Sequence, residues 1–207
     1  GGKLIMKRSL FVVTLLAAFC FAVSAQGIAV GGAVENFSLS NIDGKTVSLN
    51  EMRGKNGAVI VFVSSQCPVV KLYNERMNQI AADYAAKGIT FIGINSNATE
   101  MDKTAAKPLD WVRAHINETY KFPVLFDKGN VLADKLGASV TPEAYYLDAN
   151  NVLLYHGAID NDRSGENITE TYLRTAFDSS LGGKKIERVR ANAFGCTIKR
   201  TAAADTK

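Results

Sequence analysis

The order of elements predicts an α/β domain with a mixed central sheet. Three observations carry that expectation. Residues 57–63 form an unbroken apolar, β-branched run, the mark of a strand buried on both faces of a sheet. An amphipathic helical pattern follows at once. Late in the chain, two short strand patterns flank the turn sequence Asp148-Ala149-Asn150-Asn151, which reads as an antiparallel pair.

Residues 37–49 alternate on either side of Asp43-Gly44 and predict a small hairpin ahead of the central strand. The first long helix places Val69, Val70, Tyr73, Met77, Ile80, Ala81 and Tyr84 on one face. Lys71, Asn74, Glu75, Arg76 and Asp83 take the other, and Gly88 ends it. A second buried strand is expected at residues 89–94, followed by a polar loop over residues 95–100. A helix at residues 108–116 should pack Trp111, Leu109 and Val112 on the sheet. A strand at 122–126 and a short helix at 131–136 come next, then the strands 144–147 and 152–155 and a last helix over 169–181. Beyond Gly182-Gly183 the chain is basic and weakly patterned, and it holds Cys196.

The first 25 residues differ in kind. Lys7 and Arg8 precede an apolar stretch from Leu10 to Val23, and Val23-Ser24-Ala25 sets small residues before a cleavage point, as a secretory signal requires. Residues 1–25 are therefore expected to be a signal peptide with a possible start at Met6, residues 26–183 one domain of ordinary size, and residues 184–207 a tail. The implied location is periplasmic or secreted, with membrane attachment only if the signal stays uncleaved. Loss of Lys3, Lys7 and Arg8 takes the formal charge from +4 to +1, which gives no basis for nucleic-acid binding. Cys20 leaves with the signal, so Cys67 and Cys196 are the cysteines of the mature chain.

Cys67 is where chemistry concentrates. It stands between the apolar strand and the helix, in Ser64-Ser65-Gln66-Cys67-Pro68-Val69-Val70-Lys71, so its thiol is expected to cap a helix N-terminus. Unpaired N–H groups there favour thiolate over thiol, and Pro68 suits the first helical position because it has no N–H to leave unpaired. Lys71, one turn on, is either a second influence on that thiol or a solvated lysine. The plainer reading of Cys67 is an inert packed thiol. His115 and His156 stand alone and make no zinc-type spacing with the cysteines, so neither a metal nor another cofactor is expected. The glycines form no phosphate loop. Asn-x-Ser/Thr sequons begin at Asn36, Asn97, Asn117 and Asn167 and matter only in a host that glycosylates exports.

The Cys67 segment, Val140-Thr141-Pro142-Glu143 before the late strand pair, and Phe194-Gly195-Cys196-Thr197-Ile198-Lys199-Arg200 together resemble the thioredoxin-fold redoxins of the alkyl hydroperoxide reductase/thiol-specific antioxidant group. That resemblance implies a thioredoxin-like fold: a central mixed sheet flanked by helices, here with an N-terminal hairpin and a C-terminal tail. It implies a thiol-dependent oxidoreductase with Cys67 as nucleophile and a protein disulfide or a peroxide as substrate, served by an external thiol reductant.

Thioredoxins place a second cysteine three residues after the first. Val70 stands there, so Cys196 becomes the candidate resolving thiol, brought in by movement of a loosely packed tail. Ser64 matches the hydroxyl residue that helps peroxiredoxins hold peroxide. Ile60 replaces their expected proline, and Thr141-Pro142 stands where their later arginine would be. Thr141-Pro142 resembles instead the cis-proline loop that offers backbone groups to a disulfide substrate. Asn95, Asn97 and Glu143 edge the same region. Disulfide exchange is the leading reading, with a peroxidase and a non-catalytic module stapled by Cys67–Cys196 as alternatives.

Overall fold

The computed structural model describes residues 27–101 and 107–201, so the expected signal peptide, with Met6 and Cys20, lies outside the described residues. In chain order the elements are β1 (Ser38–Asn41), β2 (Thr46–Ser48), α1 (Leu49–Met52), β3 (Gly57–Val63), α2 (Pro68–Ala85), β4 (Ile89–Asn95), α3 (Ala98–Met101) and α4 (Leu109–Thr119). They continue with β5 (Val124–Phe126), α5 (Val131–Leu136), β6 (Val140–Thr141), β7 (Glu143–Leu147), β8 (Leu153–Gly157), α6 (Tyr172–Leu181), β9 (Arg190–Ala191) and β10 (Cys196–Thr197).

β3 lies inside the main sheet, whose order is β2-β1-β5-β4-β3-β7-β8-β9. It runs parallel to β4 and antiparallel to β7, and every one of its residues is buried. This is the mixed sheet that the apolar run and the late strand pair imply. One face packs on α2 and α6 through Val59, Val61, Tyr73, Met77, Tyr146 and Phe177. The other carries Ile60, Phe62, Ile92, Leu132 and Tyr145. Alternate residues of β3 thus serve opposite layers, so the strand cannot slip by one residue without exchanging both cores. The C-terminal end of β3 therefore has a defined position, and it delivers residues 64–67.

The structure departs from expectation in four places. The polar loop after β4 closes into the short helix α3. Trp111 does not pack on the sheet; it stays exposed and stacks on His115, while Val112 on the same helix is buried. The last helix begins at Tyr172 rather than near 169, because the N–H groups of Thr169 and Glu170 donate to Asn161 Oδ1 in a non-helical turn. The expectation of a loosely packed tail needs correction too. β9 pairs in parallel with β8, and β10 pairs antiparallel with β6. Both strands are two residues long, and each rests on an edge supplied by another element, which is why the tail carries no periodic pattern of its own.

Candidate active site

α2 opens as the sequence predicts. Cys67 is its N-cap, in an extended conformation with φ −82° and ψ 117°, and Pro68 follows at the first helical position. The Val70 N–H donates to Cys67 Sγ at 3.5 Å, so the sulfur takes up one of the amides that a helix start leaves unpaired. An amide in this position, at the positive end of a helix dipole, is the kind of setting that favours a thiolate over a thiol.

The loop before Cys67 is held from below by a buried carboxylate. Glu100, at 1% exposure, accepts from the Ser64 hydroxyl, from the Ser65 N–H at 2.9 Å and from Asn95 Nδ2 at 2.8 Å. The Gln66 N–H reaches the same carboxylate at 3.4 Å. Ser64 is thus turned toward Glu100, and its oxygen also accepts the Gln66 N–H at 3.2 Å. Multiple charge-assisted bonds to one carboxylate fix a turn that otherwise has no regular structure. Glu100 escapes sequence reasoning, because it sits in a loop-like polar stretch and is distant in sequence from the turn it holds.

Thr141 and Pro142 face Cys67 from the opposite wall. Their peptide bond is cis, and the Thr141 carbonyl oxygen lies 3.5 Å from Cys67 Sγ. Glu143 secures this wall by accepting the N–H groups of Ser139 at 2.8 Å and Val140 at 3.2 Å. Its other oxygen lies 2.6 Å from His156 Nε2 and accepts the Tyr145 hydroxyl at 3.4 Å. Arg190 Nη2 donates to His156 Nδ1 at 3.3 Å, which leaves Nε2 to carry the proton toward Glu143. Burial opposes ionisation of Glu143, yet the His156 contact and the two amides hold its carboxyl below the ordinary 4.5. His156, isolated in sequence, belongs to this support. It becomes visible only once β7 and β8 pair Tyr145 with His156.

Cys196 completes the arrangement. It is joined to Cys67 by a disulfide, with Cα atoms 6.0 Å apart and a sequence separation of 129. β10 sets Cys196 directly opposite Thr141 in the register with β6, and the Thr141 hydroxyl donates to the Cys196 carbonyl at 3.4 Å. Cys67 is 5% exposed, whereas Cys196 is half-buried. On the remaining side, Lys71, Asn74 and His115 line a shallow groove with residues 64–68. Asn95 and Asn97 are buried behind the loop, and Asn97 reaches the tail rather than the sulfur. The structure therefore brings Cys67, Cys196, Thr141 and Pro142 together, while Ser64 serves the turn beneath them. A buried sulfur capped by an amide and bonded to a more accessible one can take part in thiol–disulfide exchange.

Known proteins can be set beside this geometry. The thiol-disulfide oxidoreductase ResA of Bacillus thuringiensis subsp. konkukian is 25% identical over 178 residues, covering 81% of this chain and 95% of the relative. A hypothetical protein of Sinorhizobium meliloti 1021 superposes with a TM-score of 0.76 at 32% identity, over 86% of this chain and 98% of that one. The exposed lipoprotein thioredoxin of Streptococcus pneumoniae shares the fold, with a TM-score of 0.53 at 19% identity over 70% of this chain and 99% of that one. The family profile described as AhpC/TSA matches residues 30–156, a span that takes in β3, the cysteine-capped start of α2 and the cis-proline wall but stops short of Cys196. Matched over more than half its length, the chain belongs to the AhpC/TSA family.

Proposed function

We propose that the chain is a thiol–disulfide oxidoreductase in which Cys67 attacks and Cys196 resolves. The observation that carries this reading is the Cys67–Cys196 disulfide set between a helix N-terminus and a cis-proline wall. The ResA relative supports the reaction class by its name. In the reduced protein, the Cys67 thiolate attacks one sulfur of a partner disulfide, forming a Cys67–partner bond and releasing the partner's other sulfur as thiolate. The Cys196 thiolate then attacks Cys67 Sγ. The internal disulfide forms, the partner leaves with its second sulfur reduced, and the enzyme holds the oxidised pair.

An external thiol restores the reduced form. It attacks Cys196, the more accessible sulfur, and expels Cys67, whose capped thiolate is the better leaving group. A second external thiol then attacks the external sulfur of that mixed disulfide, releasing Cys196 as thiolate and leaving as an external disulfide. Thr141 and Pro142 form the substrate-facing wall, with the Thr141 carbonyl oxygen 3.5 Å from Cys67 Sγ. Disulfide exchange is preferred to peroxide reduction because Ser64 is engaged with Glu100 and Ile60 replaces the expected proline.

The N-terminal pattern supports export. Residues 1–25 serve as a cleaved signal, residues 26–183 as the redoxin domain and residues 184–207 as the tail that delivers the resolving thiol, in a periplasmic or secreted setting. Among the described residues, no helix is long and apolar enough to cross a membrane. The test is the alkylation rate of Cys67 against pH in a Cys196→Ser protein. A thiol pKa clearly below about 8.5 is expected, and a value above it overturns the nucleophile assignment. The mass of the exported chain with and without reductant checks the cleavage near Gln26 and the disulfide together.

A further inference from the structure

The tail does more than bring in a sulfur. From Gly195 to Thr201 it lies along a groove built to hold an extended chain. Cys196 and Thr197 pair antiparallel with Thr141 and Val140. The Ile198 N–H donates to the Ser139 carbonyl at 3.0 Å, continuing the pairing. Lys199 is then gripped on both sides: its N–H donates to Asn97 Oδ1 at 3.0 Å, and its carbonyl accepts the Ala98 N–H at 2.7 Å. The Thr201 N–H donates to Asn130 Oδ1 at 2.8 Å. Asn97 and Asn130 are 3% and 1% exposed, and both are oriented from behind, by Val63 O for Asn97 and by Ser96 for Asn130. Two buried amides facing a main chain read backbone rather than side chains.

Side-chain demands arise at two further places. A Cβ on Gly195 would stand 1.9 Å from the Thr141 carbonyl oxygen and 2.6 Å from its carbon, so the residue before the cysteine must be glycine. Ile198, two residues after the cysteine, is 3% exposed and belongs to the apolar cluster that holds Leu132 and Leu136. Thr197 and Lys199 are exposed and face no such demand, while the Arg200 guanidinium donates to Asp134 Oδ1 at 2.8 Å and to the Ala138 carbonyl at 2.7 Å.

We propose that residues 195–201 act as a built-in stand-in for a substrate, and that the same groove takes an extended segment of a partner protein of the form Gly-Cys-x-apolar. This rests on the oxidoreductase reading and names its substrate class. The partner strand adds to the edge of β6 with its cysteine opposite Thr141, where Cys67 attacks that cysteine's disulfide and the partner's second sulfur leaves as thiolate. The occupant follows from the chain's own segment seated there. A tethered tail competes at an effective concentration in the millimolar range, so the intact chain admits a partner only in the fraction of molecules whose tail has lifted. The groove is thereby reserved for segments that fit it well.

The test uses the full reduced chain carrying Cys196→Ser, so that Cys67 is the thiol that reacts, and synthetic nonapeptides whose cysteine carries a thionitrobenzoate leaving group, so that attack by Cys67 releases a coloured thiolate. Every comparison below is made in that background. The probes are Ala-Phe-Gly-Cys-Thr-Ile-Lys-Arg-Thr, the same peptide with alanine in place of glycine, and the same peptide with aspartate in place of isoleucine. The parent should react about tenfold faster than either altered peptide, the equivalent of ~1.4 kcal/mol in discrimination. A Gly195→Ala chain, whose own tail no longer seats, should react faster than wild type with the parent peptide and keep the same order of preference. Equal rates for all three peptides overturn the inference, as does a Gly195→Ala chain slower than wild type with the parent peptide. A disulfide-linked dimer of the chain as the sole product also overturns it, since the groove's occupant is then a second copy. Dithiobisnitrobenzoate separates the two levels: if Cys67 reacts with it and the peptides are not distinguished, only the groove reading fails. If Cys67 does not react with it at all, the oxidoreductase reading fails first.

Discussion

The two walls that meet at the disulfide are built to opposite specifications. Cys67 stands at the junction of β3, buried along its whole length between β4 and β7, and α2, which buries Tyr73, Met77, Ile80 and Tyr84 against the sheet. Cys196 stands on a two-residue strand at an edge, and β9 anchors the tail ahead of it through another two-residue pairing. Strands with few buried contacts open at low free-energy cost, whereas core strands open only with global unfolding. The difference teaches that the bond joins a fixed sulfur to a movable one. The division of labour proposed above fits it: an attacking thiol needs a constant electrostatic setting, and a resolving thiol needs to get out of the way.

The comparison breaks most visibly if the two cysteines are interchangeable. Cys67→Ser should abolish disulfide reduction altogether. Cys196→Ser should still make the first attack and then stall, with partner protein accumulating as a mixed disulfide on Cys67. Non-reducing gels and mass spectrometry of trapped species check this, and trapping in equal yield by both variants would contradict the assignment of roles.

Reduction probes the rigidity difference directly. Opening a bridge across so long a loop should lower stability by about 2–4 kcal/mol, measured by denaturant titration with and without reductant. Native-state hydrogen exchange should locate the gain in flexibility. Amides at residues 195–201 should lose protection on reduction while those of β3 keep theirs, and uniform loss across both walls would remove the distinction.

Glu100→Gln sharpens the fixed side. An amide nitrogen would then face the donors of Ser64, Ser65 and Asn95, where the carboxylate accepted from all three. The expected cost is about 1–3 kcal/mol in thermal or chemical unfolding. Cys67 should also react more slowly with small disulfides, because its turn is no longer held.

The smallest expected effect concerns acid. Glu143 has a folded pKa held below its ordinary 4.5, so its contribution to the cis-proline wall is fully present above that value. It is lost as pH falls through the lowered one. Stability of the wild-type chain should therefore decline as the medium is acidified below about 4.5, and Glu143→Gln should flatten part of that slope. Unfolding midpoints measured from pH 3 to pH 7 decide the matter, and an unchanged slope would show that the wall does not depend on this carboxylate.

The fixed side was legible in the sequence and the movable side was not. β3 announces itself by seven consecutive apolar residues, α2 by its spacing, and the N-cap by a cysteine followed by proline. Each is a local pattern with a local physical cause. β9 and β10 are made by partners far away in sequence, so nothing in Arg190-Ala191 or Cys196-Thr197 marks them as strands. Glu100 and His156 were hidden for the same reason. One reaches back to residues 64–66, and the other gains its role from strand pairing. The pairing of Cys196 with Cys67 came only from family resemblance, since two lone thiols far apart carry no spacing signal.

The anchor at β9 sets a reach. Gly157 has φ 140°, and a Cβ there would stand 1.8 Å from the Ala191 carbonyl oxygen, so the backbone of β9 lies tight against β8 at that point. If β10 lifts while this hold persists, Cys196 swings on a leash of about five residues, a radius of ~17 Å at full stretch. Segments of that size close in about 10–100 ns, so the thiol returns to its partner almost as soon as the space is vacated. Lengthening the leash would slow each return only gently, as the −3/2 power of its length, but would widen the circle of sulfurs it meets on the way. In the proposed cycle the short tether is a timer on the mixed disulfide, allotting a bound partner a brief residence before the chain's own sulfur displaces it.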